Sequence, residues 1–290
     1  LAKIFIDQNR CKKDGLCATV CPVGALEQVE NNTFPTVAHE ELCITCGHCI
    51  MICPQKAISH ADLPSERSHP IIYGNLPTVE QVIQLMNTRR SIRAFRNVPV
   101  EKDVIEQIII GAQAAPSAHN MQSTEYLVVQ DRALLSQISQ LTVDYFKMIL
   151  NLLGNPILQP IALGLARESV GDAIRLLPEF KLMVESAPKG TDPILHHAPA
   201  LIVFHARRST SFAAENANLA IQNAALVAQA LGVGTFYTGY VMVACIRDSR
   251  IAKLLAIPKP HKIYAALAIG YPAIRFTRWI EKDPQKIQWM

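Results

Sequence analysis

Apolar and polar positions follow two rhythms along this chain, and the change falls near residue 62. Before it, apolar runs are short. Lys3 to Ile6 reads as a strand, and Leu26–Val29 and Phe34–Val37 flank the turn-forming pair Asn31-Asn32. From His60 to Pro77 the periodicity disappears. Pro64, Pro70, Gly74 and Pro77, with Ser65, Glu66, Arg67 and Ser68 between them, make a short, proline-stiffened connector. Beyond it the spacing turns helical. Thr78-x-x-Gln81 is a capping box ahead of Val82, Leu85 and Met86, and a second helix runs from Glu101 to about Ala114. Strands are expected at Tyr126–Gln130, Leu201–His205 and Ile263–Ile269, with a buried helix at Ala217–Leu231. Helical stretches also fall around Tyr145–Leu153 and Ile161–Met183. The expected fold class is α+β, organised as a small domain over 1–62, a linker over 63–77 and a larger domain over 78–290.

Composition narrows the classes. Half of the 290 residues are hydrophobic, only 18% are charged, and the net charge is +4. That is enough apolar material for a sizeable core and too little basic charge for a nucleic-acid partner. Asn218, Gln222, Asn223 and Gln229 interrupt the longest apolar stretch, so no membrane span is expected. Leu1–Arg10 shows no signal pattern, and a soluble cytoplasmic protein is the expectation.

The cysteines change the picture most. Of 8, 7 lie between Cys11 and Cys53; Cys245 stands apart and is expected to be a small buried apolar residue. Cys43-x2-Cys46-x2-Cys49-x3-Cys53 followed by Pro54 is the bacterial cluster-binding run, whose fourth cysteine serves the other of two clusters. Cys11-x5-Cys17-x3-Cys21 followed by Pro22 repeats its closing half. One iron–sulfur cluster then takes Cys43, Cys46, Cys49 and Cys21, and the other takes Cys11, Cys17 and Cys53. The fourth position of the second set is Asp14, in register. Three readings stand there: Asp14 ligates iron through oxygen in a 4Fe-4S cluster, the corner is empty and the cluster is 3Fe-4S, or Asp14 only turns the loop. Zinc knuckles pair their cysteines differently, so iron–sulfur is preferred. A module this small needs its clusters for folding energy. Residues 1 to 62 resemble a bacterial two-cluster ferredoxin.

In the larger domain, Arg89, Arg90 and Arg93 surround Ser91, and guanidinium groups match phosphate bidentately. Taken alone, the cluster is equally a solvated helix end. Gly232-Val233-Gly234-Thr235-Phe236-Tyr237-Thr238-Gly239 suits close approach of backbone to a flat ligand, or else a helix cap and turn. Gly270-Tyr271-Pro272, Arg275 and Arg278 follow the last expected strand. The stretches 89–95 (Arg-Arg-Ser-Ile-Arg-Ala-Phe), 115–122 (Ala-Pro-Ser-Ala-His-Asn-Met-Gln), 231–239 and 269–272 together resemble the nitroreductase family over about residues 78 to 290.

That resemblance implies FMN and a homodimer with two flavin sites at its interface. It implies Arg89, Arg90 and Ser91 at the FMN phosphate and ribityl chain, and Arg93 at the flavin edge where negative charge develops on reduction. Pro116, Ser117 and Asn120 would reach the flavin from the partner subunit, Thr238 and Gly239 would lie by the ring, and Arg278 would return to the phosphate, with Arg275 the weaker candidate. Ser123 and Thr124 depart from the family pattern. The segment 141–190 has no counterpart and is either interface or lid helices, or a cover over the substrate pocket.

The expected activity is an FMN-dependent oxidoreductase with no side-chain catalytic dyad. Electrons would pass from the clusters to FMN and on to a small organic acceptor of nitroaromatic, quinone or enone type. The donor would be a reduced ferredoxin or NAD(P)H. The alternative is an electron carrier or redox sensor acting on a protein partner.

Overall fold

The structure, a computed structural model, describes residues 3–165 and 167–290. It divides into two compact units, which part at Pro77 and Thr78.

The first unit contains β1 (Ile4–Ile6), α1 (Leu16–Thr19), β2 (Leu26–Glu27), β3 (Thr36–Val37), α2 (His48–Ile52) and β4 (Ile58–His60). β1 pairs antiparallel with β4, and β2 with β3. The hairpin around Asn31-Asn32 forms, but its strands are shorter than the apolar runs suggest. Val29 is 83% exposed, so it has no face to bury against. Among the described residues, Ile4, Cys17, Ala25, Leu26 and Ile58 form its buried cluster, too small a core to hold a fold of this size unaided. Residues 63–77 group with this unit, and so does Ala118–Met121, a short excursion from within the expected 78–290 domain. Asn120 ties it there: its Nδ2 donates to Ile44 O at 3.2 Å and to Thr45 O at 2.9 Å.

The second unit opens with α3 (Val79–Thr88) on a complete capping box: Gln81 N donates to Thr78 Oγ1 at 3.3 Å, and Thr78 N donates to Gln81 Oε1 at 2.9 Å. Then follow α4 (Lys102–Gln113), β5 (Glu125–Val129), α5 (Arg132–Leu153), α6 (Leu158–Leu165), α7 (Arg167–Arg175), α8 (Leu177–Ser186), β6 (Ala200–Arg207), α9 (Ala213–Ala230), β7 (Gly234–Tyr237), α10 (Gly239–Arg247), α11 (Arg250–Leu254) and β8 (His261–Gly270). The four strands form one antiparallel sheet in the order β5-β6-β8-β7. Helices cover both faces. Ile202, Phe204, Leu267 and Ile269 pack with α4 and α9 in one core. Leu201, Val203, Ala266 and Ala268 pack with α5, α8 and α10 in the other. Alternate residues of β6 and β8 therefore serve different cores, which is why these strands read as continuous apolar runs.

The fold is α+β, as expected, with three differences in detail. The stretch 161–183 is parts of three helices rather than one, and residue 166 within it lies outside the described residues. α5 begins at Arg132, capped by Asp131 Oδ1, which accepts Leu134 N–H at 2.8 Å. The glycine-rich stretch, read as a close approach to a flat ligand or as a helix cap and turn, contains a strand, β7.

Candidate redox sites

The cysteine loops of the first unit are built on left-handed backbone. Gly15 and Gly47 head α1 and α2 with φ of 70° and 74°, a region that glycine enters without the Cβ penalty. At Gly15 a Cβ would also lie 2.1 Å from Gln28 Oε1. Lys13 and Thr45, two residues earlier in each loop, have φ of 61° and 53°. This winding aims amides at sulfur. Lys13 N lies 3.4 Å from Cys11 Sγ and Thr45 N 3.4 Å from Cys43 Sγ; Ala25 N lies 3.2 Å from Cys21 Sγ and Ala57 N 3.3 Å from Cys53 Sγ. Such N–H donors stabilise thiolate.

Cys21, Cys43, Cys46 and Cys49 line one cavity in this unit, walled by Ile4, Leu26 and Leu63 among others. This is the first expected ligand set, with Cys21 contributed by the other loop. The second set is also grouped. The thiols whose charge acts on Cys17 are Cys11 and Cys53; burial is the larger influence and raises its pKa. Burial pushes the Cys49 thiol up to about 11. Burial also opposes ionisation of Cys21, but the amides of Val23, Leu26, Ala25 and Gly24 together bring it below its ordinary value. Four sulfurs around one apolar cavity fit a cluster that displaces thiol protons on binding. Asp14 turns its loop: its Oδ1 accepts Leu16 N–H at 3.2 Å, and a carboxylate has a second oxygen.

One participant was not foreseen. His60, on β4, is 5% exposed, and its Nε2 lies 3.7 Å from Cys43 Sγ. Its Nδ1 accepts Asp62 N–H at 3.0 Å, so the ring proton sits on Nε2 and points its donor at the ligand sulfur. The only sequence signal was a histidine on the strand that closes the module.

In the second unit the run Arg89–Arg93 leaves α3 and runs beside β7. Ser91 and Thr235 form a parallel bridge, and Ile92 N donates to Thr235 O at 2.9 Å. Gly234 is obligatory there, because a Cβ would meet Ile92 side-chain atoms at 2.8 Å. Arg90 Nη1 donates to Arg89 O at 3.2 Å. The exposed Arg93 places its guanidinium 5.6 Å from the Phe236 ring centroid. Around it stand His196, edge-on to Phe236 at 5.4 Å, and Tyr240. Burial, and secondarily Arg93, lower the His196 pKa; burial and then Glu179 raise that of Tyr240, against the pull of Arg93.

Thr238 is 2% exposed, and its hydroxyl donates to Ala266 O at 3.1 Å, which fixes the step from β7 into α10. Gly239 begins α10, and a Cβ there would meet no protein atom within 4 Å. An arginine-flanked strand end with open space over a helix-initial glycine fits an anionic, flat ligand. The segment 141–190 is brought in too. Phe146 and Phe180 pack on Tyr240 at 5.2 and 6.2 Å, and Glu179 Oε2 accepts from Tyr240 Oη at 3.4 Å.

Elsewhere, Ser117 Oγ accepts Gln122 N–H at 2.9 Å, Pro116 is exposed, and the Asn120 amide donates to the cluster loop of the first unit. Arg275 and Arg278 lie in the exposed, irregular carboxy-terminal stretch.

A thiolate-lined ferredoxin-type unit and an antiparallel sheet covered by helices, with arginines at one strand end, define a redox protein of two cofactor types. Residues 86–271 match the family described as "Nitroreductase family", and residues 3–60 match the "4Fe-4S dicluster domain". The chain belongs to the nitroreductase family, and it is an FMN-dependent oxidoreductase that carries a 4Fe-4S ferredoxin-like domain. It is 27% identical over 206 residues to the FMN reductase [NAD(P)H] of Bacillus subtilis, covering 69% of each chain. It is 35% identical over 63 residues to a protein named Ferredoxin 7Fe of Hydrogenibacillus schlegelii, covering 22% of this chain and 77% of that one. In fold it is similar to an FMN-bound nitroreductase of Bacteroides fragilis, with a TM-score of 0.54 at 19% identity over 72% of this chain and 99% of the other. Among the described residues no helix is long and apolar enough to cross a membrane.

Proposed function

We propose that electrons enter at the ferredoxin-like domain, collect on FMN and leave to a small organic acceptor of the nitroaromatic, quinone or enone class. The reading is carried by the cavity lined by Cys21, Cys43, Cys46 and Cys49 in the same chain as the arginine-flanked step at Gly239. When bound, clusters supply single electrons and FMN takes one or delivers two. The donor is a reduced ferredoxin, or NAD(P)H as in the name of the Bacillus subtilis relative.

The family resemblance assigns roles to this chain's residues, and their chemistry suits them. Arg89, Arg90 and Ser91 grip the FMN phosphate and ribityl chain. Arg93 supplies a fixed cation where charge develops on reduction. Gly239 admits the ring, Thr238 holds the turn, and Arg278 returns to the phosphate. Pro116, Ser117 and Asn120 complete the flavin site of a homodimer. Glu179, tied to Tyr240, supports reading the 141–190 segment as a cover over the acceptor pocket.

We assign Cys21, Cys43, Cys46 and Cys49 to a 4Fe-4S cluster. At the second cluster, held by Cys11, Cys17 and Cys53, Asp14 is the weak corner. A carboxylate is harder than a thiolate and a poorer match for cluster iron, so that corner gives up its iron first and leaves 3Fe-4S. The name of the Ferredoxin 7Fe relative supports this.

Anaerobic mixing with reduced ferredoxin tests the relay. FMN should bleach rapidly in the wild type and at least tenfold more slowly in Cys49→Ala, at equal flavin content. Equal rates in the two would overturn it. A protein that bleaches but turns over no acceptor, and co-purifies with a protein partner, would favour the electron-carrier reading.

A further inference from the structure

At one end of the sheet in the second unit, three side chains converge that the redox chemistry does not use. Glu125 on β5 and His205 on β6 are direct cross-strand partners. On β8, His205 faces Ile263, and His261 lies two residues away from it. Side chains two apart on a strand share a face, so Glu125, His205 and His261 stand together on one face of three neighbouring strands.

That arrangement depends on an irregularity. Phe204 pairs with Ala265, yet His205 pairs with Ile263, so the ladder slips between them. Without the slip His205 would oppose Tyr264, and His261 would project from the opposite face. Bulges of this kind re-aim a side chain and bend a sheet next to sites.

The geometry is close. The two imidazole Nδ1 atoms are 3.0 Å apart. Glu125 Oε2 lies 4.0 Å from His205 Nδ1, and Oε1 lies 3.8 Å from His261 Nε2. One ligand atom from each residue falls within 4.8 Å of the other two. Both histidines are buried, at 6% and 8%, whereas the Glu125 side chain is 59% exposed. The rings are fixed by packing, and the carboxylate stands at the entrance.

We infer that Glu125, His205 and His261 form a binding site for a divalent cation of the zinc class, with one coordination position left to water. Two imidazole nitrogens and one carboxylate oxygen are the donor set that zinc accepts in sites with an open position. A hydrogen bond between the two rings accounts for one nitrogen of each; it does not account for a carboxylate drawn to within 4 Å of both. The ion would pin the start of β5 to the C-terminal part of β6 and the start of β8, so its effect is on the stability of the sheet.

The test uses the full chain with clusters and flavin in place, handled anaerobically and equilibrated with zinc sulfate. Zinc and iron are counted together, and the zinc K-edge absorption is recorded. One zinc per chain is expected, with iron unchanged and a first shell of nitrogen and oxygen at about 2.0–2.1 Å. His261→Ala should abolish the binding. Glu125→Gln, at an exposed position that leaves the core intact, should weaken it tenfold or more and remove the rise in melting temperature that zinc gives the wild type. A sulfur shell at about 2.3 Å would place the zinc on the cysteines and overturn the inference. So would the absence of retained zinc, or unchanged affinity in Glu125→Gln.

Discussion

The two cysteine loops of the first unit are one backbone design used twice, thirty-two positions apart, with different chemistry on it. Cys11, Cys17 and Cys21 return as Cys43, Cys49 and Cys53. The left-handed residues Lys13 and Gly15 return as Thr45 and Gly47, and the same amides approach the same sulfurs. Two positions break the repeat. Asp14 stands where the second loop has Cys46. Gln28, which donates to Lys13 O and Thr33 O, stands where the second half has His60, aimed at Cys43 Sγ. The scaffold that shapes a cluster site is thus separable from the side chains placed on it, and these are where iron content and potential are expected to be set.

Substitutions can break this comparison, and the largest effect is expected from Cys21→Ala. Although Cys21 belongs to the first loop in sequence, it lines the cavity of the second. The variant should lose the cluster of the Cys43–Cys49 loop, roughly half the iron, and keep the one that involves Asp14. Iron analysis with EPR reads this, and loss of the other cluster would show that ligation is not crossed.

Next is the exchange of corners. Asp14→Cys should fix four irons at the first site, and Cys46→Asp should give the second the weak corner, each changing iron by about one atom per chain. EPR of oxidised samples reports the three-iron signal, and no change in either variant would contradict the assignment.

Third is a stability contrast. Gly47→Ala meets nothing nearer than Leu63 at 3.4 Å and should cost about 1–2 kcal/mol through its backbone conformation alone. Gly15→Ala also collides with Gln28, so thermal denaturation should place it lower. Equal melting temperatures would show that Gln28 gives way freely.

Fourth, His60→Leu removes a donor to ligand sulfur. It should lower that cluster's potential by on the order of 50 mV, the equivalent of about 1.2 kcal/mol for one electron. Gln28→Leu should leave both potentials in place, and redox titration followed by EPR separates them.

The smallest effect concerns Cys245, outside the repeat. Burial, and then Asp248, push its thiol up to about 12. Thiolate is therefore scarce below that pH. Alkylation at pH 9 should be roughly a thousandfold slower than for a free cysteine, rising only as the pH approaches 12.

The same contrast explains what the sequence could reveal. Cluster ligands sit on tight loops, where covalent spacing fixes which sulfurs can meet, so the cavity set of Cys21, Cys43, Cys46 and Cys49 was legible from residue counting. His60 was not, because it arrives through the pairing of β4 with β1, and its tautomer is set by the Asp62 amide. The larger domain was legible as α+β through its apolar strands and capped helices. The strand β7 was hidden, because Gly232 and Gly234 resemble a helix end. Gly234 is a strand residue that lets Ile92 approach, and the partner that explains it is more than a hundred residues away in the chain. The Glu125–His205–His261 cluster was hidden for the same reason, since it exists only once three strands are in register and one of them slips.

Each chain is expected to hold two iron–sulfur clusters and one FMN. Quantifying iron, acid-labile sulfide and flavin in anaerobically purified protein, with its visible and EPR spectra, tests this directly. One FMN and about seven to eight irons per chain are expected, with separate signals from a four-iron cluster and from the cluster at Asp14. A colourless protein, or one whose cysteines hold zinc and that releases no yellow chromophore on denaturation, would contradict it.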